Sequence, residues 1–298
     1  MVNSPVNILD LNKEGIRAFL DSFDHVFSDC DGVIWHNTPL AGSGEFFDLM
    51  KKHGKTVHYV SNNSIRSKEN YDAKFKAAGI NDGYENLTVP SVAIAEYLKS
   101  VNFNKKIYCI TNSQTIKTLE SYGFSCKSGP DVGADFYSDY VQYLEDDEEI
   151  GAVVFDSDFK VNLPKIYKAI SYLARPDVYF INGASDKHVV LKPGHLSLAT
   201  GVFTELVIEE TKRIPIQIGK PGKIFGEFAM KRAGLSDPSR ILFIGDMIEQ
   251  DVGLGKQTGF KTLLVLTSLT KEDMLNHETI KPDYYAKSLG SIVPLLKF

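Results

Sequence analysis

The 298-residue chain predicts an α/β fold built on parallel β-sheet. Short apolar runs rich in Val, Ile, Phe and Tyr recur along its length. Several are apolar throughout, as strands buried on both faces are. Amphipathic segments with helical spacing lie between them, and strand–helix alternation over such a length indicates a parallel sheet. Clusters of small polar or charged residues fall at the carboxyl ends of the expected strands, where open α/β sheets bind ligands.

The first strand is expected at His25–Asp29, within Phe27-Ser28-Asp29-Cys30-Asp31-Gly32-Val33. Two aspartates leave a buried strand just before a glycine. An unpaired acid inside the strand would be costly. Beyond its end, both carboxylates can converge on a metal or a substrate. Asp-x-Asp-Gly equally suits an Asx-type turn that closes a strand. A helix at Gly44–His53 follows, then a strand at Thr56–Ser61 that ends in Ser61-Asn62-Asn63-Ser64. Four small hydrogen-bonding residues before a helix make an anion-receptive entry; a plain N-cap explains only one of them. In the next helix, Lys68–Ala78, Tyr71, Phe75 and Ala78 share a face.

The middle of the chain carries a helix at Val92–Ser100 and strands at Ile107–Thr111, Ala152–Asp156 and Val178–Ile181, with a helix at Pro164–Leu173. A strand at Ile216–Gly219 leads through Lys220-Pro221-Gly222 into a helix at Lys223–Ala233. A lysine on such a turn can neutralise a phosphate or a carboxylate, although a single lysine is also an ordinary surface residue. The strand Ile241–Gly245 ends in Asp246, with a second acid at Asp251, and a last strand is expected at Lys261–Leu266. Hard oxygen ligands at a strand end suit Mg²⁺; a simple turn would use the same residues.

Composition narrows the class. Hydrophobic residues are 43% and charged residues 24% of the chain, ordinary globular usage that excludes a disordered or fibrous protein. The length suggests about two domains. Lys and Arg total 33 against 38 Asp and Glu, a net charge of −5 that gives no reason to expect nucleic acid or an anionic membrane surface. No signal-peptide pattern opens the sequence, and no apolar run approaches the roughly 20 residues of a membrane span. The three cysteines, Cys30, Cys109 and Cys126, form no CxxC pair and no evident disulfide framework, so a cytoplasmic location is expected. The acidic run Glu145–Glu149 reads as a solvated loop. Residues six positions beyond the cysteines are His36, Thr115 and Val132, so Cys-x5-Arg phosphatase chemistry is excluded. Gly253-Leu254-Gly255-Lys256-Gln257 lacks the spacing and hydroxyl of a P-loop, and Gly42-Ser43-Gly44 lacks the third glycine of a dinucleotide loop.

The order acid pair, Ser/Asn cluster, lysine, acid pair resembles the four signature motifs of the haloacid dehalogenase (HAD) superfamily. Phe27–Trp35 resembles the first motif of its branch of 4-nitrophenylphosphatases, phosphoglycolate phosphatases and pyridoxal phosphate phosphatases. Val60–Ser67 resembles the second, Gly219-Lys220-Pro221 the third and Gly245-Asp246-x4-Asp251 the fourth. The tail Pro282-Asp283-Tyr284-Tyr285 is similar too. The resemblance implies a Rossmann-like parallel-sheet core, residues 1–104 and 214–298, with an inserted α/β cap over 105–213. Within that cap, Ala152–Phe159 resembles a strand of the branch.

It also implies the chemistry: Mg²⁺-dependent hydrolysis of a small phosphorylated metabolite through an aspartyl-phosphate. Asp29 would be the nucleophile. Asp31 would protonate the leaving alcohol and then activate water. Lys220 would neutralise Asp29 and a phosphoryl oxygen. Mg²⁺ would be held by Asp29, the backbone carbonyl of Asp31 and Asp246, with Asp251 orienting the shell. Ser61, Asn62 and Asn63 would contact the phosphoryl group. Haloacid dehalogenases lack the second acid of the first motif, so Asp31 favours phosphoryl transfer over dehalogenation.

In the branch, a cap loop reads the leaving group, and Phe180–His188 resembles it. Of the usual Ala-Thr-Asn-x-Asp, only the final acid, Asp186, is clearly kept, and Pro193-Gly194-His195-Leu196-Ser197 departs from the usual Pro-Gly-Thr/Ala-Gly-Ser. Asp186 and His188 are therefore candidate substrate contacts, as is His195, and Leu191, Leu196 and Leu198 could make the pocket more apolar. The departures leave the substrate within the branch open. A phosphotransferase or phosphomutase on the same core is the alternative reading, and a non-catalytic regulator that binds phosphorylated ligands is a third. Cap-mediated dimers are common in the branch, which implies a homodimer.

Overall fold

A computed structural model of the chain describes residues 4–131, 136–143, 145–192 and 195–298. Its strands in chain order are β1 (Val6–Asn7), β2 (His25–Ser28), β3 (Thr56–Val60), β4 (Leu87–Thr88), β5 (Lys106–Ile110), β6 (Cys126–Ser128), β7 (Ile150–Phe155), β8 (Tyr179–Asn182), β9 (His188–Lys192), β10 (His195–Leu198), β11 (Ile216–Gln217), β12 (Ile241–Gly245), β13 (Lys261–Val265) and β14 (Tyr284–Ala286). The chain divides into two compact units. The first comprises the residues as far as Ser61, Ser67–Thr88 and Lys220–Phe298; the second comprises Asn62–Arg66 and Val89–Gly219.

The first unit is a parallel sheet of order β1-β14-β13-β12-β2-β3-β4. Its central strands are apolar because both faces are covered: every residue of β12 is buried, and Val26 and Phe27 of β2 are fully enclosed. The helix Lys13–Asp21 starts where the Asn12 side chain accepts from the Gly15 N–H at 2.9 Å, and it buries Ile16, Phe19 and Leu20 along one face. In Ser43–Lys52 the buried face is Phe46, Phe47 and Met50. Each such side chain contributes about 1.5–3 kcal/mol on full burial. An aromatic cluster lies behind the first motif: Trp35 meets Phe75 edge-on at 4.9 Å between ring centroids, and Phe75 meets Tyr59 at 4.7 Å.

The second unit is a parallel sheet of order β11-β8-β7-β5-β6, with a two-stranded antiparallel sheet of β9 and β10. Neither strand of that pair is among those expected from the sequence. The unit takes in the helix Pro90–Ser100 and β11, which pairs with β8, so the strand expected to lead into Lys220 belongs to this sheet. Its core is built from Tyr108, Ile110, Val153, Phe155, Tyr172 and Phe180. Both units are α/β with parallel sheets, as the sequence pattern predicts. Among the described residues, no helix is long and apolar enough to cross a membrane.

Candidate active site

Register places the first-motif acid. Ser28 of β2 lies opposite Tyr59 of β3 on one side and Ile244 of β12 on the other. The strand ends one residue earlier than expected, yet the Asp29 N–H still donates to the Ile244 carbonyl at 2.8 Å. Asp29 therefore emerges level with Gly245, one residue before Asp246, and the two carboxylates face a common space at the strand ends. The chain then turns sharply. Gly32 N–H donates to the Trp35 carbonyl at 2.7 Å, Ile34 N–H donates to that of Cys30 at 2.8 Å, and the Trp35 indole donates to Asp31 Oδ1 at 3.0 Å. Gly32 has φ +80°, and a Cβ on it would collide with the Asp246 carboxylate. Turn geometry and close approach both demand glycine here.

Asp251 is set by a π-helical turn over Ile248–Val252, in which Val252 N–H reaches back to the Met247 carbonyl. Such widened turns concentrate at functional sites. Asp251 Oδ2 accepts from the N–H groups of Asp246 at 3.0 Å and Met247 at 2.9 Å, while its Oδ1 accepts from Lys220 Nζ at 2.7 Å. Lys220 Nζ also lies 2.9 Å from Asp29 Oδ1. All four side chains are buried. The site thus brings Asp29, Lys220, Asp246 and Asp251 together, with Asp31 on the adjoining turn.

Three carboxylates face one ammonium, which leaves two negative charges in a buried space. Burial pushes the Asp29 carboxyl well above its ordinary range; Lys220 pulls it down, while Asp251 and Asp246 add to the rise. Asp246 is pushed up to about 7, by burial first and by Asp251 second. Burial alone would lower the Lys220 pKa, but Asp251 and Asp29 reverse this and raise it. The residues fit a divalent cation. Carboxylate oxygens of Asp29, Asp246 and Asp251 lie within 4.8 Å of one another, and Asp246 Oδ1 is buried with no hydrogen-bond partner among the described residues. Oxygen donors of this kind suit Mg²⁺.

Ser61 follows β3 on the other side of β2. It is buried, its N–H donates to the Thr88 carbonyl at 3.0 Å, and the Tyr71 hydroxyl donates to its Oγ at 3.4 Å. The remaining predicted residues belong to the second unit. Asn62 Nδ2 donates to Asp186 Oδ2 at 3.1 Å. Asn63 Oδ1 accepts from the Ile65 N–H at 3.1 Å, the local turn that such residues often make. Asp186 is half-buried, and its carbonyl accepts from the Gly201 N–H at 3.0 Å. His188 and His195 are exposed, on β9 and β10, and so is Leu198. Pro193, Gly194 and the side chains of Leu191 and Leu196 lie outside the described residues.

Two groups went unnoticed in the sequence. Thr267 and Ser268 follow β13, another strand of the same sheet. The Thr267 hydroxyl donates to the Gly32 carbonyl at 2.5 Å, and the Ser268 hydroxyl donates to Asp246 Oδ2. The strand-end rule that singled out the other motifs applies equally to this one. In the second unit, the fully buried Asp156 accepts from the Ala184 N–H at 3.2 Å and the Thr115 hydroxyl at 3.0 Å, and burial raises its pKa. It ties β7 to the loop that carries Asp186.

Asp29 at its strand end, the buried Lys220 and the acid pair Asp246 and Asp251 gather beside one parallel sheet. A family model described as haloacid dehalogenase-like hydrolase matches residues 26–125, and a second model, of HAD-like hydrolases, matches residues 217–292. The chain is 32% identical to phosphoglycolate phosphatase 2 of Arabidopsis thaliana, covering 96% of this chain and 98% of that protein. It is 28% identical to 4-nitrophenylphosphatase of Schizosaccharomyces pombe, covering 93% and 95%. Among solved structures, the p-nitrophenyl phosphatase of Archaeoglobus fulgidus superposes with a TM-score of 0.78 at 27% identity, covering 92% of this chain and 99% of that one. This chain belongs to the haloacid dehalogenase-like hydrolase family.

Proposed function

We propose that the protein is a phosphatase that hydrolyses small phosphate monoesters through an aspartyl-phosphate on Asp29, with Mg²⁺ as cofactor. The observation that carries this reading is the buried group of Asp29, Asp246 and Asp251 around Lys220, with Asp246 Oδ1 unpaired among the described residues. The names of the relatives, phosphatases of phosphoglycolate and of 4-nitrophenyl phosphate, point the same way. Asp29, Asp246 and the Asp31 carbonyl would hold Mg²⁺, which when bound supplies positive charge against the phosphate dianion.

The residues then divide the work. Lys220 neutralises Asp29 and one phosphoryl oxygen as the carboxylate attacks phosphorus. Ser61, with Asn62 and Asn63 beside it in sequence, donates to the phosphoryl oxygens. Asp31, oriented by the Trp35 indole, gives its proton to the leaving alcohol oxygen and later takes one from the water that attacks the phosphoaspartate. Asp251, held by three donors, keeps Lys220 and the backbone of Asp246 in place. Asp186 and His188 are the proposed contacts to the leaving group, and a homodimer is the proposed assembly.

The test is release of inorganic phosphate from a panel of monoesters with and without Mg²⁺. The panel includes 4-nitrophenyl phosphate, phosphoglycolate, pyridoxal phosphate, sugar phosphates and prenyl phosphates. Added alcohols report transfer instead of hydrolysis. The Asp29→Asn variant should retain a native circular dichroism spectrum and release no phosphate. Wild-type turnover in that variant would rule out Asp29 as the nucleophile.

A further inference from the structure

We propose that Thr267 and Ser268 form a positioning clamp for the metal ligand Asp246, a role that rests on the Mg²⁺ reading above. Asp246 has two carboxylate oxygens with different fates. Oδ2 accepts from the Ser268 hydroxyl, whereas Oδ1 is buried and has no hydrogen-bond partner among the described residues. The hydroxyl therefore selects which oxygen is presented for coordination. Ligating carboxylates are commonly held by such outer hydrogen bonds, which fix orientation and tune affinity.

The neighbouring residue braces the surface against which the carboxylate packs. The Thr267 hydroxyl donates to the Gly32 carbonyl at 2.5 Å, and Gly32 sits so close to Asp246 that a Cβ would collide with its carboxylate. The loop is anchored at both ends. Leu266 N–H donates to the Ala286 carbonyl of β14 at 2.9 Å, and Thr270 caps the helix Lys271–Asn276 in a reciprocal box with Asp273. On the far side, Asp251 Oδ2 fixes the Asp246 backbone N–H. Asp246 is thus held at its main chain by the π-helical turn and at its side chain by the loop after β13. Ser268 touches neither phosphate nor metal in this scheme; it acts through Asp246.

The test is direct titration of metal-free protein with Mn²⁺, reading free ion by electron paramagnetic resonance, so that binding is measured without turnover. Ser268→Ala should weaken Mn²⁺ binding about tenfold, the lower end of what outer-ligand changes usually cost. Ser268→Thr, which keeps the hydroxyl, should restore wild-type affinity. Thr267→Val should weaken binding to a smaller extent. The melting temperature of all three in chelator should match wild type. Wild-type affinity in Ser268→Ala, or equal loss in the Ala and Thr variants, would overturn the clamp. Wild-type protein that binds Mn²⁺ but releases phosphate from no monoester would overturn the phosphatase reading and leave the clamp standing.

Discussion

Lys220 Nζ sits 2.9 Å from Asp29 Oδ1, and both side chains are almost wholly shielded from water. An exposed ion pair at that distance would be worth little. Here each partner depends on the other, because neither charge has solvent to fall back on. Asp251 shares the same ammonium, so the lysine serves two acids at once.

Lys220→Met should therefore abolish phosphate release and also destabilise the fold, by roughly 3 kcal/mol given the usual cost of stripping one partner from a buried pair. Urea denaturation with a parallel activity assay checks both. Unchanged stability would mean that water already reaches the pair.

Gly32→Ala tests the close approach at the first motif. The left-handed backbone alone costs a non-glycine residue about 1–2 kcal/mol, and the new methyl group would push on Asp246. Loss of Mg²⁺ response with a measurable fall in the denaturation midpoint is expected. A variant with normal Mg²⁺ activation would show that Asp246 has more room than its contacts indicate.

Removal of metal should stop catalysis, and it should be visible without substrate. Mg²⁺ that binds the folded state alone raises its stability by mass action, about 2.7 kcal/mol at a hundredfold excess over Kd. The wild-type melting temperature should rise with Mg²⁺, and that of Asp246→Asn should rise less. Ca²⁺, larger and less strict in geometry, should restore activity poorly. An Asp246→Asn variant that responds like wild type would remove Asp246 from the ligand set.

Assembly is open to sedimentation. Phe136, Val141, Phe159 and Leu206 of the second unit are exposed, Phe159 at 73%. A species of twice the chain mass at micromolar concentration is expected. A single monomeric species would count against the homodimer.

The parallel sheets and the four strand-end motifs were legible in the sequence because each depends on a local pattern: an apolar run, then a cluster of small or charged residues. Pairings between distant residues were not. Trp35 on Asp31 has a spacing of four, but nothing in Asp-x-x-x-Trp announces a hydrogen bond. Ser268 reaches Asp246 across 22 residues. Nor was it legible that β11 joins the sheet of the second unit by pairing with β8, 35 residues earlier in the register. The antiparallel pair β9–β10 escaped because its strands are only five and four residues long, too short for a periodic pattern to stand out.

The π-helical turn at Ile248–Val252 bears on which changes of length the chain can tolerate. An α-helix advances about 100° per residue. Deleting one residue from Asp246-x4-Asp251 would close the wide turn and swing the second acid away from the Met247 and Asp246 N–H groups and from Lys220. An insertion would swing it the other way. Substitutions at Ile248, Glu249 and Gln250 alter side chains, whereas an insertion or deletion there alters the angle at which the acid arrives. The spacing between the two acids is thus a rotational setting, and homologous chains that keep this chemistry should vary in residue type across these positions far more freely than in number.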